Sequence, residues 1–287
     1  MGNRKRNSQR MQAPVPEAPS PAAAVAATTT NDIFSFVTPT EFVELPSRGR
    51  FYPEGHALAG VETVELRHMT AKEEDILTSE ALLRKGLALD RMLQSLLVDK
   101  TLKIDDFLVG DKNALVVSSR ITGFGPDYRT NVSCPSCGEN NEAEFNLESL
   151  SLHFADDLGD DIQETPGGTF MFELPTTGVT VEVGLLTSGA EKRLNDSLAK
   201  KKKLNLPDTK STDLLKAVIV SVAGVTDPSM LSKFVDVMPV RDSRFLRSMY
   251  EGIRPDVDLR HEFTCESCTF GGEVVMPLTA EFFWPGA

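Results

Sequence analysis

Histidine, cysteine, tyrosine and tryptophan are scarce in this sequence, whose 287 residues contain four, four, three and one of them respectively. Long apolar runs are also missing, and none approaches the ~20 residues that a membrane-spanning helix needs. Positive charge is in deficit, since 30 Lys and Arg residues stand against 42 Asp and Glu residues, giving a formal net charge of −12. Duplex DNA binding needs clustered Lys and Arg, so this balance disfavours nucleic acid as a partner.

No arrangement of residues typical of a catalytic site is present. The adjacent pair Asp105-Asp106 is a poor acid/base dyad, because neighbouring side chains on a helix point apart. Gly123-Phe124-Gly125 lacks the further glycine of a dinucleotide-binding loop. The histidines are scattered, and His261, four residues before Cys265, is the one that could replace a thiolate as a metal ligand. We therefore expect no catalytic residues and a protein that is not an enzyme.

Residues 1–32 have the composition of a tail. Basic residues at positions 4–6 and 10 precede a Pro- and Ala-rich stretch in place of the apolar segment of a signal peptide. Such a composition cannot bury enough apolar surface to fold. The sequence predicts a disordered tail that is first basic and then rich in Ala and Pro.

All four cysteines fall into two Cys-x-x-Cys pairs, Cys134 with Cys137 and Cys265 with Cys268. This spacing lets both thiolates of one tight turn bind a single tetrahedral ion. Two such turns would form a four-thiolate site like that of a zinc ribbon. Because four thiolates leave no open position for water, the sequence predicts structural zinc as the cofactor.

Other uses of these cysteines remain open at this stage. The two pairs are 128 positions apart (265 − 137), whereas a compact ribbon separates its pairs by about 15–20 residues. An iron–sulfur cluster uses the same four ligands. A thioredoxin-type redox pair needs its Cys-x-x-Cys at the start of a helix, and structural disulfides suit a secreted protein. Zinc is the favoured interpretation.

An internal repeat indicates how distant cysteines could meet. Asp111 lies 23 positions before Cys134 (134 − 111), and Asp242 lies 23 before Cys265 (265 − 242). Similar segments recur in the same order in both halves of the chain: Glu44-Leu45-Pro46 with Glu173-Leu174-Pro175, Val64-Glu65-Leu66 with Val181-Glu182-Val183, and Leu147 with Leu278. We predict an α+β fold of two pseudo-equivalent lobes, each with helices and a short zinc-knuckle hairpin, which share one four-cysteine site.

The repeat suggests domain boundaries. Residues 33–154 would form the first α+β repeat and residues 169–287 the second, each with one Cys-x-x-Cys knuckle. Residues 155–168 between them are acidic and Gly-rich, as suits a linker.

Local patterns predict several elements. Thr70 and Glu73 form a capping box that begins a helix, and Asp227-Pro228 begins another. Asp111 and Asp242 are each predicted to be the N-cap of the helix before a cysteine pair.

Further elements follow from the apolar patterns. A hairpin is predicted over 170–172 and 179–183, and a helix over about 212–222. Asp75 and Asp90 lie on predicted helices among Lys72, Arg84 and Arg91, and surface ion pairs with these cations are expected. Core packing is expected for part of the aromatic run Phe282-Phe283-Trp284.

Four motifs in this order carry a resemblance to a known family. They are Leu45-Pro46-Ser47-Arg48-Gly49-Arg50-Phe51-Tyr52-Pro53, the helix start Met69-Thr70-Ala71-Lys72-Glu73-Glu74-Asp75, the turn Gly110-Asp111-Lys112-Asn113, and the knuckle Cys134-Pro135-Ser136-Cys137. The ordered set resembles baseplate proteins of T-even-type contractile-tailed phages, in particular the hub and hub-assembly branch. The resemblance covers residues 41–150 well and the remainder loosely.

The resemblance implies a virion or assembly protein of the tail baseplate, made in the host cytoplasm. Its partners would be other phage tail and baseplate proteins, with homo-oligomerisation as a further option, and it would have no catalytic residues. The alternative that the residues leave open is a zinc-ribbon regulator that binds nucleic acid or the transcription machinery.

Overall fold

A computed structural model describes residues 38–156, 158–159, 161–276, 278 and 280–283 of the chain. The predicted tail, residues 1–32, and Trp284 lie outside these residues. The described residues from Thr40 onward form one compact unit. No helix in the described ranges is both long enough and apolar enough to cross a bilayer.

The described chain contains eight α-helices, twelve short strands and three single-turn 3-10 helices, which confirms the predicted mixture of helix and sheet. The helices are α1 (Ala71–Thr78), α2 (Glu80–Arg84), α3 (Ala88–Leu96), α4 (Val109–Phe124), α5 (Ser188–Lys203), α6 (Lys210–Val218), α7 (Pro228–Val237) and α8 (Val240–Ile253). The strands are β1 (Thr40–Glu44), β2 (Thr63–Arg67), β3 (Asp127–Ser133), β4 (Asn140–Asn146), β5 (Leu152–His153), β6 (Gln163–Glu164), β7 (Thr169–Glu173), β8 (Thr180–Gly184), β9 (Ile219–Val222), β10 (Asp256–Val257), β11 (Arg260–Thr264) and β12 (Gly271–Val275).

All strand pairs in these sheets are antiparallel. Strands β6-β7-β8-β9 form one four-stranded sheet, and β1-β2, β3-β4 and β11-β12 form two-stranded sheets. Strand β5 pairs with β10, which joins a segment just after the first cysteine hairpin to one just before the second. Strand β6 places part of the acidic segment 155–168 at the edge of the four-stranded sheet.

Two separate apolar clusters fill the interior. The larger one, which we call the main core, spans both halves of the chain and includes Leu45, Leu115, Phe170 and Leu246, none more than 1% exposed. The smaller one, the hairpin core, is formed by Cys134, Phe263, Cys265 and Val274. Phe282 and Phe283 are buried in the main core, as expected for part of the terminal aromatic run.

Several local predictions are confirmed. Thr70 and Glu73 form the capping box of α1, with Thr70 N–H donating to Glu73 Oε2 at 3.1 Å. Asp227 caps α7 by accepting from Met230 N–H at 2.9 Å. The hairpin predicted over 170–172 and 179–183 is formed by β7 and β8.

Three local predictions are wrong. Helix α4 begins at Val109 and α8 at Val240, so Asp111 and Asp242 lie in the first turn and are not N-caps. The helix predicted over 212–222 ends at Val218, because the following residues pair with β8 as strand β9.

Asp90 also departs from expectation. Its carboxylate is largely buried and binds Lys112 Nζ at 2.7 Å and Lys192 Nζ at 3.2 Å, so it joins α3 to α4 and α5 and is not part of a surface pair with Arg84 or Arg91.

Candidate metal centre

The first cysteine pair occupies the turn between β3 and β4, whose last paired residues are Ser133 and Asn140. Cys134 N–H donates to the Glu139 carbonyl at 2.8 Å, and Gly138 N–H donates to the Cys134 carbonyl at 2.9 Å. Gly138 has a φ of +78°, a conformation that glycine adopts without a steric penalty. These contacts curl the turn so that both cysteine side chains face the same side.

The second pair sits in the same kind of turn between β11 and β12. Cys265 N–H donates to the Phe270 carbonyl at 2.8 Å, as Cys134 does to Glu139. Thr269 follows Cys268 as Gly138 follows Cys137, and it also has a positive φ, of 56°. A β-branched residue is strained in this region, so the turn geometry is kept at a steric cost.

The structure brings all four predicted cysteines together. Cys134 Sγ lies 3.6 Å from Cys268 Sγ, and Cys137 Sγ lies 3.8 Å from Cys265 Sγ. All four sulfur atoms lie within 4.8 Å of one another. Cys134 and Cys265 are buried, Cys268 is half-buried and Cys137 is exposed. Within the described ranges, this is the one group of three or more His, Cys, Asp or Glu side chains close enough to hold a metal ion.

Asn141, at the second residue of β4, ties the two hairpins together beside the sulfur atoms. Its Nδ2 donates to the Glu139 carbonyl at 3.1 Å and lies 3.5 Å from Cys265 Sγ. Its Oδ1 accepts from Glu266 N–H at 3.0 Å. Sequence reasoning missed this residue, because no local motif marks an asparagine whose partners lie on a turn 124 and 125 positions away.

The close sulfur atoms perturb one another's protonation. Burial raises the pKa of Cys265, but hydrogen bonds from the backbone N–H groups of Ser267 and Cys268 and contacts with neighbouring thiols lower it to about 6. The Glu139 N–H lowers the pKa of Cys137, but the Cys268 thiol, burial and the other two thiols raise it to about 12. The turns thus stabilise a thiolate at Cys265, while the proximity of the other sulfur atoms opposes a second negative charge at Cys137.

His261, the alternative ligand considered from the sequence, lies outside this group. It is on β11, four residues before Cys265, and its ring packs edge-on against Phe145 with centroids 4.8 Å apart. The arrangement therefore offers four sulfur ligands. Four convergent thiolates hold an ion on all sides, whereas water or a substrate needs an open position.

Comparison with known proteins gives one result. No individual curated protein and no solved structure matches the chain. The model of the family described as "T4 bacteriophage base plate protein" matches residues 38–284, which is far more than half of the 287 residues. The chain therefore belongs to this family of phage baseplate proteins, which places it in the tail of the virion with other tail proteins as its partners.

Proposed function

We propose that this protein is a non-enzymatic structural or assembly component of the baseplate hub, in which one structural zinc ion joins two duplicated halves. Cys134, Cys137, Cys265 and Cys268 would be the ligands. The protein would take up the ion in the host cytoplasm and offer its surface to neighbouring tail proteins. The observation that carries the proposal is the convergence of four sulfur atoms from turns 128 positions apart.

The sulfur spacing supports a single tetrahedral ion. Zinc binds thiolates at about 2.3 Å, and the edge of a tetrahedron of that radius is about 3.8 Å. The 3.6 Å and 3.8 Å separations observed between cysteines of opposite turns agree with that edge. A divalent ion would also favour the thiolate form of Cys137, whose pKa the Glu139 N–H lowers but the contacts with the neighbouring thiols raise.

Other uses of the cysteines fit this geometry less well. A disulfide requires about 2.05 Å between sulfur atoms. A [4Fe–4S] cluster binds each thiolate through a different iron, and a [2Fe–2S] cluster binds two thiolates through each of its two irons. Both arrangements spread the four sulfur ligands further apart than a single ion does. A thioredoxin-type redox pair lies at the start of a helix, whereas both pairs here lie in β-hairpin turns. A single iron would fit in the same geometry as zinc, so the test below measures both metals.

Matching element positions support the duplication. Helices α4 and α8 begin at Val109 and Val240, and strands β4 and β12 begin at Asn140 and Gly271. Both pairs are separated by 131 positions (240 − 109 and 271 − 140), as are Cys134 and Cys265. The segment from the helix to the second hairpin strand thus recurs without insertion.

A shared long-range contact adds to this. Asp111 in α4 accepts from Ser47 N–H at 2.9 Å, just after Leu45-Pro46. Asp242 in α8 accepts from Thr176 N–H at 2.8 Å, just after Leu174-Pro175. Helix α4 therefore holds the turn that follows β1, and helix α8 holds the turn that follows β7 in the same way. We assign residues 33–154 and 169–287 to the two repeats and 155–168 to the linker.

Metal analysis of the purified full chain tests the proposal. We expect about one zinc per chain and no iron. Cys134→Ser and Cys265→Ser should each lose most of the zinc, because three thiolates from two hairpins hold the ion less tightly than four. Ser136→Ala and Ser267→Ala, which change residues inside the same turns, are the matched controls and should retain the zinc.

Two results would contradict a shared zinc site. One is wild-type protein without zinc, and the other is a Cys265→Ser variant that keeps its metal on the first pair. The hub role has a separate test, in which tagged protein is recovered from infected cells. Hub proteins should co-purify with it, whereas recovery of RNA polymerase or nucleic acid would favour the zinc-ribbon regulator.

A further inference from the structure

A depression of about 700 Å³ lies where strand β2 meets helices α1 and α3. Four cationic side chains line it, those of Arg67, Lys72, Arg91 and Lys100, and we call it the cationic depression. Ile76 and Leu82 supply apolar lining beside the charges. A concave site with one sign of charge is unexpected in a chain whose formal net charge is −12.

One of these cations is already neutralised. Arg67 Nη1 donates to Glu73 Oε2 at 3.1 Å, and Arg67 Nη2 binds the other carboxylate oxygen. Ser95 supports the pair, since its hydroxyl accepts from Arg67 Nη2 at 3.1 Å and donates to Glu73 Oε1 at 2.7 Å. The Glu73 carboxylate is fully buried behind Arg67, which fixes the guanidinium as one wall of the depression.

The other three cations lack an anionic partner. Across the described part of the chain, no carboxylate forms an ion pair with Lys72, Arg91 or Lys100. Lys100 Nζ is held in place by donating to the Ser95 carbonyl at 2.9 Å and to the Leu97 carbonyl near the end of α3. Burial lowers the pKa of Lys100, and the charges of Arg67 and Lys72 lower it further against the effect of Glu73. The depression thus carries positive charge in excess of its own counter-ion.

We propose that the cationic depression binds an acidic segment of another baseplate protein. Carboxylates of the segment lie among Lys72, Arg91 and Lys100, and an adjacent apolar side chain packs against Ile76 and Leu82. A protein segment fits better than nucleic acid for two reasons. The net negative charge of the chain repels a phosphate backbone, and the apolar lining makes no favourable contact with phosphate. The proposal rests on the baseplate role and is independent of the zinc ion.

Fluorescence polarisation with a labelled peptide of alternating glutamate and leucine, at low ionic strength, tests this on the full chain. We expect binding that weakens as salt rises, because exposed charges are screened. The double variant Lys72→Glu, Arg91→Glu should bind the peptide at least about tenfold more weakly. The matched control is Lys233→Glu, Arg241→Glu, which reverses two exposed charges outside the depression and should bind like wild type.

Four results would overturn the proposal: no binding of the glutamate peptide by wild type, equal binding by the Lys72→Glu, Arg91→Glu variant, equal binding of a peptide with glutamine in place of glutamate, or tighter binding of single-stranded DNA than of the peptide. Zinc content and thermal unfolding are measured on the same samples. If protein with full zinc content does not bind the peptide, the proposed site for an acidic segment is wrong and the metal proposal is unaffected.

Discussion

The main core and the hairpin core are built in different ways. The main core draws buried apolar side chains from six of the eight helices and from both halves of the chain. The hairpin core has four buried members, two of which are the cysteines Cys134 and Cys265. Burial of apolar surface stabilises the folded state by roughly 25 cal/mol per Å². Because the hairpin core buries few apolar side chains, it contributes little to stability in this way.

The difference shows where a metal would matter. Small units that cannot bury enough apolar surface are usually held by metals or disulfides. The paired turns meet that description, whereas the rest of the chain does not. The four cysteines thus lie in the region with the smaller apolar core, where the proposed metal ion would add most to stability.

Removal of the metal should have the largest effect on the comparison. A structural zinc site can contribute on the order of 10 kcal/mol, so chelation should unfold the paired turns while the main core persists. Hydrogen exchange checks this, with faster exchange at β3-β4 and β11-β12 and unchanged protection in α4 and α8. Equal protection of the hairpins before and after chelation would show that they are stable without metal.

Truncation of buried side chains in the main core should lower the stability of the whole protein and leave the cysteine site unchanged. Leu115 is the seventh residue of α4 and Leu246 is the seventh residue of α8, and both are fully buried. Leu115→Ala and Leu246→Ala should each destabilise the protein by about 3 kcal/mol in urea unfolding, with zinc content unchanged. Val237→Ala is the control, since Val237 is 79% exposed and its truncation should change stability by less than about 0.5 kcal/mol. Zinc loss in either leucine variant, at urea concentrations where it stays folded, would mean that the two cores are not independent.

A smaller effect is expected from acid on the body of the protein. Burial raises the pKa of Glu73, but hydrogen bonds from Arg67, Thr70 and Ser95 lower it to about 2, below its ordinary value of 4.5. The Glu73 carboxylate therefore stabilises the fold above about pH 4.5, and this stability is lost as the pH falls towards about 2.

Glu73→Gln tests the acid effect. The variant should lose on the order of 2 kcal/mol at neutral pH and should lose less stability than wild type between those two pH values. Unfolding free energies at several pH values measure the difference. Parallel curves for the two proteins would rule out Glu73 as a source of acid sensitivity.

The smallest effect on overall stability should come from Asn141. Asn141→Ala removes the contacts with Glu266 N–H and with Cys265 Sγ, and loss of a group that supports a metal ligand costs about 10–100-fold in metal affinity. Competition with a chelator measures the affinity. Asn140→Ala is the control, because Asn140 binds Ser133 on the exposed side of the hairpin. Equal zinc affinity in both variants would mean that Asn141 stabilises the turns but does not contribute to metal binding.

The sequence was sufficient for features that depend on local spacing. The capping box at Thr70, the Asp227 cap and the hairpin flanks of both cysteine pairs follow from residues within a few positions of each other. The convergence of the cysteines is also predictable from the sequence. The same 23-residue interval from Asp to Cys occurs twice, and the two Cys-x-x-Cys pairs together supply the four thiols of one tetrahedral site.

Features that depend on tertiary partners escaped prediction. Asp111 and Asp242 look like helix caps, because a carboxylate near a helix start can accept from the helix's own N–H groups. Instead, Asp111 accepts from the N–H and the hydroxyl of Ser47, 64 positions away. Asp242 accepts from the N–H groups of Thr176 and Thr177, 66 and 65 positions away. The helix predicted over 212–222 ends before Ile219, because the residues that follow pair with β8 as a strand. Asp90 and Asn141 have partners on other elements, which no local pattern reveals.

The 128 positions that separate Cys137 from Cys265 set an order of events during synthesis. At about 5–20 residues per second, the ribosome releases the second turn on the order of ten seconds after the first. Throughout that interval a nascent chain offers two thiolates and not four. Under the proposed shared site, tight binding of the ion would therefore require that translation has passed the second cysteine turn and that the two turns have met.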